Sequence, residues 1–178
     1  QVKTTINLTV CDIDENALDL LRELLHKVKK PKGLKILYRP GDFLKLEETG
    51  SFDLVIGNPP FSKSSSAADL KAYRSQSGNH RAQNTAAFFL EKSIEIGKHV
   101  ALVMPKFLLN TPEFEHTRDK AMRSRIDAII DFGEKGFGGV LVETIAVSLT
   151  PGAKAGKTTV TSITERRTYE KSQSYITD

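Results

Sequence analysis

Cysteine is nearly absent: Cys11 is the single thiol among 178 residues. No disulfide can close within the chain, and one lone cysteine points to a reducing compartment. Histidine is sparse as well. His26, His80, His99 and His116 are scattered without metal-ligand spacing, so neither a structural nor a catalytic metal is expected. No apolar run approaches the ~18–20 residues that a membrane-spanning helix needs. The first residues carry no signal-peptide pattern, and no segment repeats. These absences argue against a disulfide scaffold, a zinc module, a helical membrane protein and a repeat array.

What is present is the make-up of a globular chain, 39% hydrophobic and 27% charged. The length suffices for one domain with a sizeable core. A net charge of +4 and a pI near 9.1 lean towards an anionic partner without specifying one.

Periodicity places the elements. "INLTVC" (6–11), "GLKILY" (33–38), "FDLVIG" (52–57), "HVALVMP" (99–105), "IDAIIDF" (126–132) and "ETIAVSLT" (143–150) read as strands. "DENALDLLRELLHKV" carries Leu18, Leu21, Leu25 and Val28 at helical spacing behind a capping Asp14. "TAAFFLEKSIEIG" (85–97) and "PEFEHTRDKAMRS" (112–124) read as further helices, and residues 62–83 as a polar stretch. Strands alternating with helices predict an α/β fold, a parallel sheet covered on both faces. About ten residues separate strands 126–132 and 143–150. That is too few for a helical crossover, so the last strand should run antiparallel. After Pro151, "KTTVTSIT" has the pattern of one more strand, followed by a linker.

In open parallel sheets, ligands gather at the carboxyl ends of the strands. Asp12, Asp42, Asn58 and Pro105 each follow a strand. Taken singly, each has a plainer role: an acid there caps a helix or shapes a turn, and two prolines end a strand. Their order and spacing argue for more. Asp12 is placed like the acid that binds ribose hydroxyls in nucleotide-binding folds. Asp42 offers an acceptor for an adenine amino group, and Phe43 a ring for its face.

Asn58-Pro59-Pro60-Phe61 suits chemistry on an amino nitrogen. An exocyclic amine is a poor nucleophile because its lone pair is delocalised into the ring. Two acceptors, the Asn58 amide oxygen and the Pro59 carbonyl, can draw its hydrogens and push the nitrogen towards sp³ geometry. The prolines hold those acceptors rigid. Phe61 offers a face for a base flipped out of a duplex.

From residue 6 to about 150 the chain resembles S-adenosylmethionine-dependent DNA adenine-N6 methyltransferases. The resemblance is carried by "VCDIDENAL", "GDF", "NPPF", "AAFFLEKSIEI", "VALVMPKFLL" and "IIDFGEKGFGGVLVETIAVSL". It implies a Rossmann-like sheet, mostly parallel with a terminal antiparallel hairpin, and S-adenosyl-L-methionine as cofactor. It also implies Asp12 on the ribose, Ile13 beside the adenine, Asp42 and Phe43 on the adenine, and Phe89 near the cofactor. Phe137 falls where a second aromatic faces the flipped base, opposite Phe61. Cofactor motifs precede the catalytic one, the gamma arrangement. The partners so implied are double-stranded DNA and a specificity subunit or restriction nuclease. The setting implied is the cytoplasm of a prokaryotic or phage-type system. A sulfonium donor needs no metal or covalent enzyme intermediate.

Two parts of the pattern are not in the sequence: a glycine-rich loop before residue 6, and a target-recognition domain after about residue 160. Residues 1–150 are therefore expected to be an N-terminally incomplete catalytic domain lacking its first strand, and 151–178 a tail towards the recognition domain. The isolated chain is then expected to be inactive. Related "NPPF"-type turns serve RNA and protein-glutamine N-methyltransferases, and a non-catalytic fragment acting as a binding subunit is a further alternative. Lys63, Lys71, Arg74 and Arg81 stand against Asp69 alone in 62–83, a local +3. This is either a solvated loop or a segment in which Lys63, Arg74 and Arg81 meet DNA phosphates.

Overall fold

The computed structural model describes residues 5–47, 51–64, 66–133 and 142–175. The chain divides into two compact units, 1–47 and 48–178.

In the first unit, β1 (Ile6–Asp12) pairs in parallel with β2 (Leu34–Pro40), residue 6 opposite 34 and residue 12 opposite 40. Helix α1 (Glu15–His26) joins them. It starts where Asp14 accepts a hydrogen bond from the Asn16 amide, satisfying one of the orphan donors of a helix N-terminus. Leu18 is buried, while Leu21 and Leu25 are half-buried. Val28 lies beyond the helix end and is exposed, so the apolar stripe is one turn shorter than its spacing predicts. Arg22 on α1 sits over the Tyr38 ring of β2, 4.7 Å from its centre.

The second unit is a six-stranded sheet in the order β3 (Val55–Gly57), β4 (Val100–Pro105), β6 (Thr144–Thr150), β5 (Arg125–Gly133), β7 (Lys157–Ser162), β8 (Arg167–Ser172). β3, β4, β5 and β7 run one way, and β6 and β8 run the other. β6 inserts between β4 and β5, the reversed hairpin that the short connection requires. The strand expected in "KTTVTSIT" is present as β7, but the segment expected to be a linker forms β8. Thr159 pairs with Ala128 and Val160 with Ile129, and β8 returns alongside β7.

Helix α3 (Thr85–Ile96) is the centre of the core. Phe88 is 2% exposed and Leu90 1%, each burial worth about 1.5–3 kcal/mol relative to exposure. α2 (Ala67–Ser77) and α4 (Glu115–Met122) flank α3, which packs on β4. α2 lies in the segment expected to be a polar stretch. Its signals are in the sequence: Ser66 accepts from the Asp69 amide as N-cap, and Gly78 at φ 71° ends it. With one buried side chain, Tyr73, 5.7 Å from Phe88, its apolar periodicity is faint. α4 is shorter than expected, because residues 112–114 form a 3-10 turn.

Burial differs between the two faces of this sheet among the described residues. Val100, Leu102, Met104, Ile126, Ile129, Ile145, Val147 and Leu149 are buried on one face, the face of α3 and α4. Ala101, Val103, Ala128, Ala146 and Ser148 on the other face are half-exposed. At the corner between α3 and β4, a Cβ on Gly97 would come within 2.9 Å of both the Ser93 carbonyl oxygen and Val55 Cγ2. Only glycine allows that approach.

Candidate active site

Asp12 ends β1 and Asp42 follows the end of the neighbouring, parallel β2. Parallel register sets Asp12 opposite Pro40, and the Gly41 amide donates to the Asp12 carbonyl at 2.9 Å. Gly41 makes this turn at φ 131°, where a side chain is strained even though space is open. Asp42 follows directly. Each carboxylate uses one oxygen to hold its own turn: Asp12 Oδ1 accepts the Asp14 amide at 2.9 Å, and Asp42 Oδ1 the Leu44 amide at 2.9 Å. Asp42 Oδ2 lies 3.8 Å from Lys45 Nζ. Ile13 is 77% exposed, and Phe43 is half-buried.

This pair of acceptors fits the nucleoside half of S-adenosylmethionine. Ribose hydroxyls and the adenine amine are donors and call for carboxylate acceptors. A purine face calls for an apolar surface, and Ile13, next to Asp12 in the sequence, is exposed.

In the second unit, β3 ends at Gly57, and Asn58 follows at the carboxyl edge of the sheet. Asn58 and Pro60 are exposed, Pro59 is buried, and Phe61 is half-buried. The next carbonyls are all taken. Thr85 Oγ1 donates to Pro60 O at 2.8 Å, Asn84 Nδ2 to Phe61 O at 3.0 Å, and the Thr85 amide to Ser62 O at 3.0 Å. Among the described residues, the Asn58 side chain and the Pro59 carbonyl have no hydrogen-bond partner.

Asn84 and Thr85 have no place in the sequence-level site. Asn84 announces itself as an N-cap before "TAAFFL", and its Oδ1 accepts from the Ala86 amide at 3.0 Å. Its second bond spans 23 residues, and no local pattern encodes that.

The remaining candidates are spread out. Phe89 is half-buried on α3. Lys63 is exposed, and its backbone bridges to Asn84. Arg74 Nε donates to the Ala82 carbonyl at 2.9 Å, and Arg81 pairs with Glu115. Phe137 lies outside the described residues. Near the carboxyl ends of β4 and β5, Lys106 Nζ lies 3.0 Å from Asp131 and 3.4 Å from Glu143. The Asp131 hydrogen bond, opposed by partial burial, holds the Lys106 ammonium above the ordinary lysine range. Among the described residues no group of three or more His, Cys, Asp or Glu is placed to hold a metal ion, and no helix is long and apolar enough to cross a membrane.

The model of the Eco57I restriction-modification methylase family matches residues 5–137. The chain belongs to this family.

Solved structures agree on the fold. A Listeria monocytogenes protein described as a class I S-adenosylmethionine-dependent methyltransferase superposes with a TM-score of 0.65 at 17% identity. The match covers 86% of this chain and 49% of that one. A Vibrio vulnificus protein described as the modification subunit of a type I restriction enzyme gives 0.67 at 15%, covering 87% and 34%. The type IIG restriction endonuclease BpuSI gives 0.60 at 16%, covering 82% and 22%. The fold is therefore the Rossmann-like one of class I S-adenosylmethionine-dependent methyltransferases, and the chain spans half or less of these proteins' lengths. No curated protein matches the sequence.

Proposed function

We propose that the protein methylates N6 of adenine in double-stranded DNA, on a base turned out of the helix. The observation that carries this is the pair of acceptors at the end of β3. Asn58 Oδ1 and the Pro59 carbonyl have no partner among the described residues, although Pro60, Phe61 and Ser62 are all bonded within the chain. An adenine amine brings two hydrogens, and this turn offers two acceptors on a backbone fixed by consecutive prolines. Accepting both hydrogens concentrates the lone pair on N6, and a preorganised dipole does so without reorganising when charge develops. Phe61 stacks on the extruded base, with Phe137 as its second face.

S-adenosylmethionine, when bound, supplies the electrophilic methyl group on its sulfonium. Asp12 and Asp42 accept from the ribose and the adenine amine of that cofactor, while Ile13 and Phe43 cover its purine and Phe89 lies beside it. Membership of a restriction-modification family supports a specificity subunit or a restriction nuclease as the partner.

The test is Asn58→Ala in the complete protein, assayed by tritiated methyl transfer to duplex DNA. Transfer is lost while cofactor binding, measured by calorimetry, persists. Wild-type turnover by that variant overturns the mechanism. Transfer by the wild type to ribosomal RNA or to a protein glutamine, and not to DNA, overturns the substrate.

A further inference from the structure

We infer that Asn84 is a positioning residue, setting the catalytic turn in place through a tether that runs from α4's approach to the carbonyls beyond Pro59. This inference rests on the proposed role of Asn58 and Pro59.

The tether begins at Glu113, in the 3-10 turn before α4. Its Oε1 accepts the backbone amides of both Gln83, at 2.8 Å, and Asn84. That fixes the entry to α3. The Asn84 side chain, 5% exposed, then works in two directions: Oδ1 caps α3 on the Ala86 amide, and Nδ2 reaches Phe61 O. Thr85 continues the strap, its hydroxyl within 2.8 Å of Pro60 O and 3.0 Å of Ser62 O. The Ser64 amide closes it on the Gln83 carbonyl at 3.1 Å.

A helix cap by itself requires only the acceptor half of Asn84, which serine and aspartate supply equally well. The donor half has a different use. By occupying the carbonyls of Pro60, Phe61 and Ser62, the strap orients the peptide planes of the turn and leaves Pro59 as the acceptor still open. It also anchors the half-buried Phe61 at its main chain. Asn carries its acceptor oxygen and its donor nitrogen on separate atoms, so it can cap with one and reach Phe61 O with the other.

The experiment uses the complete protein and the variants Asn84→Ser, Thr85→Val, Thr85→Ser and Asn58→Ala. Asn84→Ser keeps the cap and cannot reach Phe61. Thr85→Val keeps the shape and removes the hydroxyl, and Thr85→Ser restores it. Asn84→Ser is expected to lower kcat for DNA methylation about ten- to a hundredfold, the scale of a misplaced reacting group. KM for DNA and Kd for S-adenosylmethionine should stay within about twofold, because a pure positioning loss falls on kcat. Amide exchange over residues 61–64 should quicken, with the midpoint of thermal unfolding little changed. Thr85→Val should lower kcat in the same direction, and Thr85→Ser should recover it.

Wild-type kcat in both Asn84→Ser and Thr85→Val, with Asn58→Ala inactive, overturns the tether alone. Unchanged exchange over 61–64 in Asn84→Ser overturns it too. Full activity in Asn58→Ala overturns the catalytic role of the turn, and the inference with it.

Discussion

Asn79 and Glu91, each 1% exposed, meet across the corner between α2 and α3 by an amide-to-carboxylate hydrogen bond of 2.7 Å. Thr117 of α4 donates its hydroxyl to the same Glu91 oxygen, and His116 Nδ1 lies 3.4 Å from it. Asn79 turns its own oxygen back to the amides of Arg81 and Ala82. One buried polar knot therefore joins α3 and α4 to the loop that follows α2 and leads to Asn84. Glu91 Oε2 has no partner among the described residues, so every remaining bond to Oε1 matters.

Asn79→Ala removes a donor from an enclosed carboxylate. Leaving such a group short of partners costs on the order of 2–3 kcal/mol, more than the net worth of a typical hydrogen bond. Urea denaturation should show that loss as a lower midpoint at unchanged slope. Glu91→Gln keeps an acceptor at Oε1 and should cost less than Glu91→Ala. An Asn79→Ala protein as stable as wild type would mean that water replaces the amide.

Gln173 ties the end of the sheet to its middle. It is 1% exposed, and its oxygen accepts from the Ile126 amide at 3.0 Å while its nitrogen donates to Ser124 O at 2.8 Å and Met122 O at 3.2 Å. Gln173→Ala strands an amide and two carbonyls where α4 passes into β5. The expected loss is about 2–3 kcal/mol by the same reasoning. Gln173→Glu should also destabilise, since a carboxylate cannot donate to the two carbonyls. Chemical unfolding of both variants checks this, and equal stability of Gln173→Glu and wild type would contradict this three-way bonding of the Gln173 amide.

The tail is also the hardest part to read from the sequence. "KTTVTSIT" has strand character, but Arg167–Ser172 is exposed along its whole length, and its place depends on pairing with β7. Strands with a sealed face are plain, because Ile126, Val147 and Leu149 impose their own period. α2 is hidden for the opposite reason, since polar residues surround its single buried Tyr73. Asp12 and Asp42 in the first unit and Asn58 in the second are legible because each follows a run of strand character, where ligand-binding loops emerge. Asn84 and Glu113 are not, because their contacts join segments 23 and 29 residues apart.

Lys106 should leave a mark on alkaline stability. Asp131 and Glu143 hold its ammonium, so its folded pKa stands above the unfolded one. A raised lysine stabilises the fold fully below the unfolded value of about 10.4. That contribution is lost as pH climbs through the higher folded value. Lys106→Met should therefore cost about 0.5–1 kcal/mol at pH 8, the range for a partly exposed pair. The gap from wild type should narrow at a more alkaline pH, above the raised folded value, where wild type loses the charge as well. Parallel unfolding curves for the two proteins at both pH values decide it. A gap that stays constant would assign the loss to packing of the lysine stem instead.

Salt dependence separates the three cations read as phosphate contacts. Each phosphate neutralised releases counterions and adds about 0.9 to the slope of log affinity against log salt. Lys63 is exposed and has no ion-pair partner among the described residues, so Lys63→Gln should lower the slope by close to that amount. Arg81 already pairs with Glu115, and DNA must compete for it. Arg81→Gln should therefore change the slope less. Arg74 is half-buried with its Nε on the Ala82 carbonyl, so Arg74→Gln should loosen the loop before Asn84 and show in stability as well as in binding. Fluorescence titrations of the complete protein with duplex DNA between about 50 and 200 mM salt give the slopes. If the triple variant keeps the wild-type slope, residues 62–83 do not touch the phosphates. If Arg81→Gln alone matches Lys63→Gln, Arg81 abandons Glu115 when DNA binds.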